Sequence, residues 1–328
     1  MRELAQGRAV AVTREQLIGR VRETLGRVGF YVSDPHNLRS ISFDIVARRD
    51  RQLLIAKVLS NVDSLSSGDA DELKILSSVL SASPLVIGLH SSAADLEDGV
   101  LYSRFGIPIV SEGTFREQML EGVPPFVYAA PGGLYVKIDG EMLRSIRQAR
   151  NISLGTLAEA AGVSRKAIQM YESGMGAIIE IASRIEEFLN EPIVMPVDPF
   201  AYTAEIARTL KTIDDLEEQN RDIFEMLREI GYLVVPTRKS PFDALAKEDE
   251  TLLLTGIGQD PLSTQKKAKV VGNISRVTEK RSVIIIQKKA GFEEIAGTPI
   301  VTKDELRRAD DSDDFMDLIL KRERRPKK

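Results

Sequence analysis

Two related mixed α/β domains flanking a central all-α domain of four to five helices is the fold class that the sequence predicts. Three observations carry it. An internal repeat occurs at a spacing close to 200 residues, each copy alternates helical and strand periodicity, and the strand signal stops in the stretch between the copies. A chain of 328 residues allows about two domains at roughly 150 residues each, with room for more than one core.

The repeat is read directly. Phe43-Asp44-Ile45-Val46-Ala47 parallels Phe242-Asp243-Ala244-Leu245-Ala246, and Asp50, Leu53 and Leu54 parallel Asp249, Leu252 and Leu253, at a constant offset of 199. Upstream, Gly29-Phe30-Tyr31-Val32 matches Gly231-Tyr232-Leu233-Val234; downstream, Gly106-Ile107-Pro108-Ile109-Val110 matches Gly297-Thr298-Pro299-Ile300-Val301. In the first copy, Leu17, Ile18, Val21, Leu25 and Val28 have helical spacing and predict a helix over 14–28, with Gly29 as its C-cap. Strands are expected over 30–32, 41–47 and 52–59, the last two joined by the charged turn Arg48-Arg49-Asp50-Arg51. A helix over 69–81, a buried strand over 85–89, a short strand over 107–110 and a helix from Gly113 complete the unit. The second copy repeats these signals at 270–273, 283–287, 299–301 and 303–308. The expected divisions are 1–125 for the first copy, 126–138 for a hairpin linker, 139–192 for the helical domain, 193–230 for a linker and long helix, 231–318 for the second copy and 319–328 for a basic tail.

Composition removes several functions. With no cysteine, disulfides, iron–sulfur clusters, thiolate zinc sites and a cysteine nucleophile are excluded. Two isolated histidines, His36 and His90, do not make a histidine metal site or triad. No Gly-rich phosphate loop occurs, and no cofactor is expected. No apolar run approaches the roughly 18 residues of a membrane helix, and the first residues lack a signal-peptide pattern, so a cytoplasmic protein is expected. The net charge of −4 and pI of about 5.6 argue against coating nucleic acid with the whole surface.

Between the copies, Asp139 can cap a helix over 141–150, Ser153 a second over 154–161, and Ser164 a third over 165–172; a fourth is expected over 177–189. Gly162 makes the break between the second and third, and Ala158 is small where those two must approach. Helix, tight glycine turn, helix is the geometry that sets a recognition helix in a DNA major groove. The stretch 153–174 resembles the helix-turn-helix of the Cro/C1 phage-repressor family. Leu157-Ala158, Gly162-Val163-Ser164, the placement of Ile168 and the ending Tyr171-Glu172-x-Gly174 carry that resemblance over about 50 residues. One position departs from it, Leu154, where many members carry a glutamine that touches phosphate. The architecture as a whole, with Tyr128 to Gly140 leading into the module, resembles an archaeal family of transcriptional regulators with a central Cro/C1 domain.

The fold makes Arg165, Lys166 and Gln169 the candidates for base contact, because arginine and lysine suit guanine and glutamine suits adenine. Ser164 and Ser153, each at a helix N-terminus, are candidates for phosphate, as are Arg147 and Arg150 on the first helix. Residues 142–171 hold five basic side chains against one acid, a local charge of +4. The expected partner is a double-stranded DNA operator bound by a homodimer, with no membrane association and with an effector as a further role for the repeated domains. No complete catalytic set is present, so a non-enzyme is expected.

The repeated domain invites comparison with the PD-(D/E)xK nucleases, which place an Asp and then Glu-x-Lys on successive strands to hold Mg²⁺ and polarise water. Asp44 and Lys57 match, but Ile55 stands at the second acid. In the second copy Asp243 is kept and Leu254-Thr255-Gly256 replaces the rest. The resemblance implies a degenerate restriction-endonuclease-like fold. The alternative functions are a catalytically inactive nuclease-like nucleic-acid-binding or scaffold protein and, last, an active Mg-dependent nuclease. The stretch 201–230, with an apolar series from Ile206 to Ile230, reads as a long helix, either a dimer seam or packing on its own domain.

Overall fold

A computed structural model describes residues 12–35, 41–201, 220–287 and 291–323. Two compact units divide the chain. Residues 12–28, 58–65 and 85–201 form one; residues 29–57, 66–84 and the described residues from 220 form the other.

The repeat is a repeat of topology. Tyr31–Val32, Ile45–Arg49 and Gln52–Asn61 run as an antiparallel meander, as do Leu233–Pro236, Ala244–Glu248 and Thr251–Gly258. A crossover helix follows in each copy, Ser67–Leu80 or Pro261–Thr278, and then a strand, Ser83–His90 or Arg281–Ile286. The latter strand pairs in parallel with Ile107–Ser111 in the first copy and Thr298–Thr302 in the second. Even individual main-chain bonds recur: Asp44 N donates to Ala56 O and Asp243 N to Thr255 O, both at 2.8 Å.

The residues that make the repeat visible are largely those that the turns require. Asp50 and Asp249 both adopt left-handed backbone, φ 52° and 46°, in the two-residue turn of the meander. Phe105-Gly106 and Ala296-Gly297 are left-handed pairs that close hairpins Val100–Arg104/Ile107–Ser111 and Glu294–Ile295/Thr298–Thr302. Glycine is favoured there because φ of 76° and 86° carries no Cβ penalty. Strand Val100–Arg104 is not among the expected elements; after the buried Val100 its residues are half-exposed or exposed and lack the apolar alternation that marks a strand.

Within the second unit, elements of the two copies dock reciprocally. The loop after the first strand of one copy meets the crossover helix of the other. Asp34 N donates to Asn273 Oδ1 at 2.7 Å, and Asn273 Nδ2 returns a bond of 2.7 Å to Asp34 Oδ2. In the opposite sense, the buried Glu72 carboxylate accepts from Arg238 N, Lys239 N and Ser240 Oγ at 2.7–3.3 Å. Lys239 also pairs with Asp69 at 2.9 Å. Three donors on one buried carboxylate satisfy both sides of the loop–helix contact.

The second copy's core holds Ile223, Phe224, Leu227, Tyr232, Leu253, Ile285 and Phe315. Ile223 and Leu227 belong to the expected long helix over 201–230. Its described part, Arg221–Glu229, packs on its own domain rather than forming a seam, while 202–219 lie outside the described residues. The expected basic tail is corrected in the same way. Residues 319–323 are the last turns of helix Ser312–Glu323, and Arg322 is buried, bonded to Ile300 O and paired with Glu305. Burial alone would raise the Glu305 pKa, but hydrogen bonds from Arg322 and Thr302 and the Arg322 charge outweigh it and hold it low. Residues 324–328 lie outside the described residues.

In the first unit the sheet strand Val100–Arg104 pairs in parallel with Val127–Ala130, which forms a hairpin with Gly133–Ile138. That hairpin is no linker. Gly133–Ile138 also pairs with Ala177–Ile178 and Val194–Met195, and Val136 and Ile138 are buried in the helical core. Val197 N closes the segment by donating to Pro125 O at 2.8 Å.

Candidate nucleic-acid interface

Helices Gly140–Ala149, Leu154–Ala161, Arg165–Glu172 and Ile179–Leu189 form around Leu143, Leu157, Ala161, Ile168, Ile185 and Leu189. Side-chain caps set the first three starts. Asp139 accepts from Met142 N, Ser153 from Thr156 N and Ser164 from Ala167 N, at 2.9–3.1 Å. Gly162 ends the second helix at φ 69°, and Val163 N returns to Ala158 O at 2.9 Å. That turn is the Schellman type, in which glycine is favoured. Leu154, the departure from the family pattern, packs on this core.

The third helix is sharply two-sided. Ile168, Tyr171 and Glu172 are buried, whereas Arg165, Lys166, Gln169 and Met170 are exposed. Arg165, Lys166, Gln169 and Met170 lie at i, i+1, i+4 and i+5, one outward face. Among the described residues no carboxylate pairs with Arg165 or Lys166. Ser164 and Ser153 are exposed; the Ser164 cap uses the hydroxyl as acceptor, so its proton stays available to an incoming phosphate, whereas Ser153 Oγ also shares a hydrogen bond of 2.9 Å with Thr156 Oγ1, in which either hydroxyl can donate.

Arg147 and Arg150 are placed otherwise. Arg147 forks onto Glu172, Nε to Oε1 at 2.5 Å and Nη2 to Oε2 at 3.1 Å, and gives Nη1 to Ile152 O at 3.2 Å. Its side chain is 13% exposed and that of Glu172 is 5% exposed. The hydrogen bond with Glu172 holds the guanidinium above its ordinary pKa, against burial that would lower it. Arg150 bonds to Leu189 O and reaches Glu191 at 2.7 Å. Arg147 therefore braces the module from within, whereas Arg150, with its side chain 43% exposed, makes its bonds at the module's surface. Arg144 lies 3.5 Å from Glu172 and is half exposed.

Glu172 is the residue that sequence reasoning misses. The +4 count over 142–171 ends one position before it. It ties the first helix to the last turn of the third, where backbone contact is also close. A Cβ on Gly140 would sit 2.6 Å from Tyr171 O and 2.7 Å from Glu172 O.

The nuclease-like positions are occupied by structure. Ile55 and Leu254 are buried where a second acid belongs. Lys57 is buried and donates to Ile41 O at 2.5 Å. In the second copy Lys267 crosses Gly256 to reach Asp243 Oδ2 at 2.7 Å, and the same oxygen accepts from Ile257 N at 2.6 Å. This is a strand-end acid paired with a base and a main-chain amide. Among the described residues no three acidic or histidine side chains gather to hold a metal, and apolar Ile55 and Leu254 do not fit a divalent cation.

Comparison with known proteins accords with this geometry. Residues 14–125 match the PD-(D/E)XK superfamily domain, and residues 143–194 match a helix-turn-helix family. A relative from Methanocella arvoryzae is 41% identical over 95% of this chain and 98% of its own. Its assigned name describes an HTH-type transcriptional regulatory protein. The chain belongs to this archaeal family of HTH-type transcriptional regulatory proteins. Family members from Haloquadratum walsbyi and Pyrococcus horikoshii, both 38% identical, cover 96% and 93% of this chain and 99% and 97% of their own. No solved structure matches. Among the described residues no helix is long and apolar enough to cross a membrane.

Proposed function

We propose that this family member is a sequence-specific DNA-binding transcriptional regulator that reads the major groove with helix Arg165–Glu172. The observation that carries the reading is the outward face of that helix: Arg165, Lys166 and Gln169 exposed, the two cations without carboxylate partners among the described residues. Arg165 and Lys166 are assigned to guanine, Gln169 to adenine, and the Met170 thioether to apolar contact with a thymine methyl. Ser164 and Ser153 donate to phosphates. The reading module is taken as 126–197, hairpin included, because Gly133–Ile138 supplies part of its core.

One such helix spans few base pairs, so the protein acts as a homodimer on a two-fold operator, in the cytoplasm. It is not an enzyme in this reading. Ile55 and Leu254 remove the second acid, and Lys57 is buried and donates to Ile41 O. Selection of bound duplexes from a random pool by the full chain, at two salt concentrations, tests the proposal. Enrichment of a palindrome with half-sites about 10 base pairs apart, or a multiple, is expected. Weak salt-sensitive binding with no enriched motif contradicts it.

The PD-(D/E)XK match favours a second reading, Mg²⁺-dependent cleavage centred on Asp44. Nicking of duplex DNA that disappears in Asp44→Ala would establish it.

A further inference from the structure

A cavity of about 360 Å³ opens in the first unit where the hairpin meets the sheet strands. That volume lies in the range of small-ligand sites. Leu101, Pro108, Ala129 and Val197 give it apolar walls. The polar side chains of the lining belong to Tyr102, Ser103, Tyr128 and Lys137, and none of the lining residues is acidic. Among the described residues neither Lys137 nor the Tyr128 hydroxyl has a hydrogen-bond or ion-pair partner, and Lys137 is exposed. Tyr128 stacks on Tyr135 at 5.9 Å, which fixes its ring. Apolar walls, hydroxyl-bearing side chains and a single unpaired cation are the complement of a small carboxylate with an apolar body.

The cavity also touches the loop that follows the helix Arg165–Glu172. Gly174 and Gly176 are part of its wall. A Cβ on Gly176 would lie 2.1 Å from the Tyr128 hydroxyl and 3.0 Å from Val136 O, so the loop after the recognition helix rests on Tyr128. That loop is bonded to the helix's last turn through Gly174 N to Tyr171 O at 2.9 Å and Met175 N to Met170 O at 3.0 Å. A ligand that shifts Tyr128 therefore shifts the end of the helix Arg165–Glu172.

We propose that this cavity binds a small organic carboxylate with an aromatic or branched apolar body, and that its occupancy changes operator affinity. The coupling rests on the function proposed above; the binding does not. Calorimetry on the full chain with benzoate and phenylacetate, and with benzamide and phenylacetamide as neutral counterparts, tests the site without DNA. The carboxylates should bind at least tenfold more tightly than the amides. Lys137→Met, at an exposed position, should abolish that preference while leaving the amides unchanged. Ala129→Leu should weaken all four at least tenfold by filling the cavity. No binding at millimolar concentration, or a carboxylate preference that survives Lys137→Met, overturns the proposal. Repeating the titration on protein saturated with its selected duplex reads the coupling. By linkage, phenylacetate affinity must change by the factor by which phenylacetate changes DNA affinity. Equal affinities with and without DNA overturn the coupling, whereas failure of the DNA selection leaves the calorimetry readable.

Discussion

Removing the Glu172 carboxylate should loosen helix Arg165–Glu172 without touching its outward face. Glu172→Ala leaves the Arg147 guanidinium with only Ile152 O, at 3.2 Å, inside a site where that arginine is 13% exposed. Breaking a buried pair from one side costs about 3–5 kcal/mol. Residual exposure lets Arg147 recover some hydration, and Arg144, half exposed at 3.5 Å, adds little. The lower end, about 3 kcal/mol, is therefore the expected loss. Since about 1.4 kcal/mol is a factor of ten, amides of helix Arg165–Glu172 should exchange roughly a hundredfold faster. Hydrogen exchange followed by mass spectrometry on the full chain reads this helix alone, which matters because a chain with two compact units need not unfold in one step. Glu172→Gln keeps an acceptor and should lose less. Arg147→Met combined with Glu172→Leu replaces the pair by apolar groups and should recover much of the protection. If Glu172→Ala exchanges within twofold of the parent chain, the bridge does not hold this helix and the reasoning fails.

Two further outcomes follow from the same structure. Arg150→Ala should weaken the module through loss of the Leu189 and Glu191 bonds, yet leave the salt slope of DNA binding unchanged; a slope reduced by about 1 would return Arg150 to the phosphate contacts. Asp69 is held below its ordinary pKa: burial would raise it, but hydrogen bonds from Lys239 and Ser66 and the charges of Lys239 and Lys57 outweigh that. A lowered folded pKa contributes stability that is fully present above the unfolded value of about 3.9 and is lost as pH falls through the folded value. The urea midpoint difference between the parent chain and Asp69→Asn should therefore be full at neutral pH and shrink below about pH 4. A difference independent of pH would contradict the assignment.

Local signals are legible in the sequence and non-local ones are not. The serine caps at 153 and 164 and the Gly162 break act within four residues of themselves, so the residues alone spell out the helix-turn-helix. The repeat is readable because Asp50, Asp249, Gly106 and Gly297 answer turns that need left-handed backbone. The hairpin's role is hidden, since Gly133–Ile138 joins Ala177–Ile178 and Val194–Met195 through main-chain bonds that leave no side-chain signature. The internal bonds of Arg147 and Arg150 are hidden because Glu172, Leu189 and Glu191 lie 25 to 41 positions away, and two of the acceptors, Ile152 O and Leu189 O, are backbone carbonyls. The one clue to the bridge is the acid of the Tyr171-Glu172-x-Gly174 ending, a carboxylate beside a buried tyrosine.

The central claim is that the outward face of helix Arg165–Glu172 reads base edges. Measuring the affinity of the parent chain and of Arg165→Ala for the selected duplex and for every single-base change within a half-site tests it directly. A bidentate arginine–guanine contact carries about 1–3 kcal/mol of discrimination, so Arg165→Ala should erase the preference at one base pair and leave the others intact. Uniform weakening across all duplexes would make Arg165 a phosphate contact, and an unchanged matrix would show that this helix does not read the DNA.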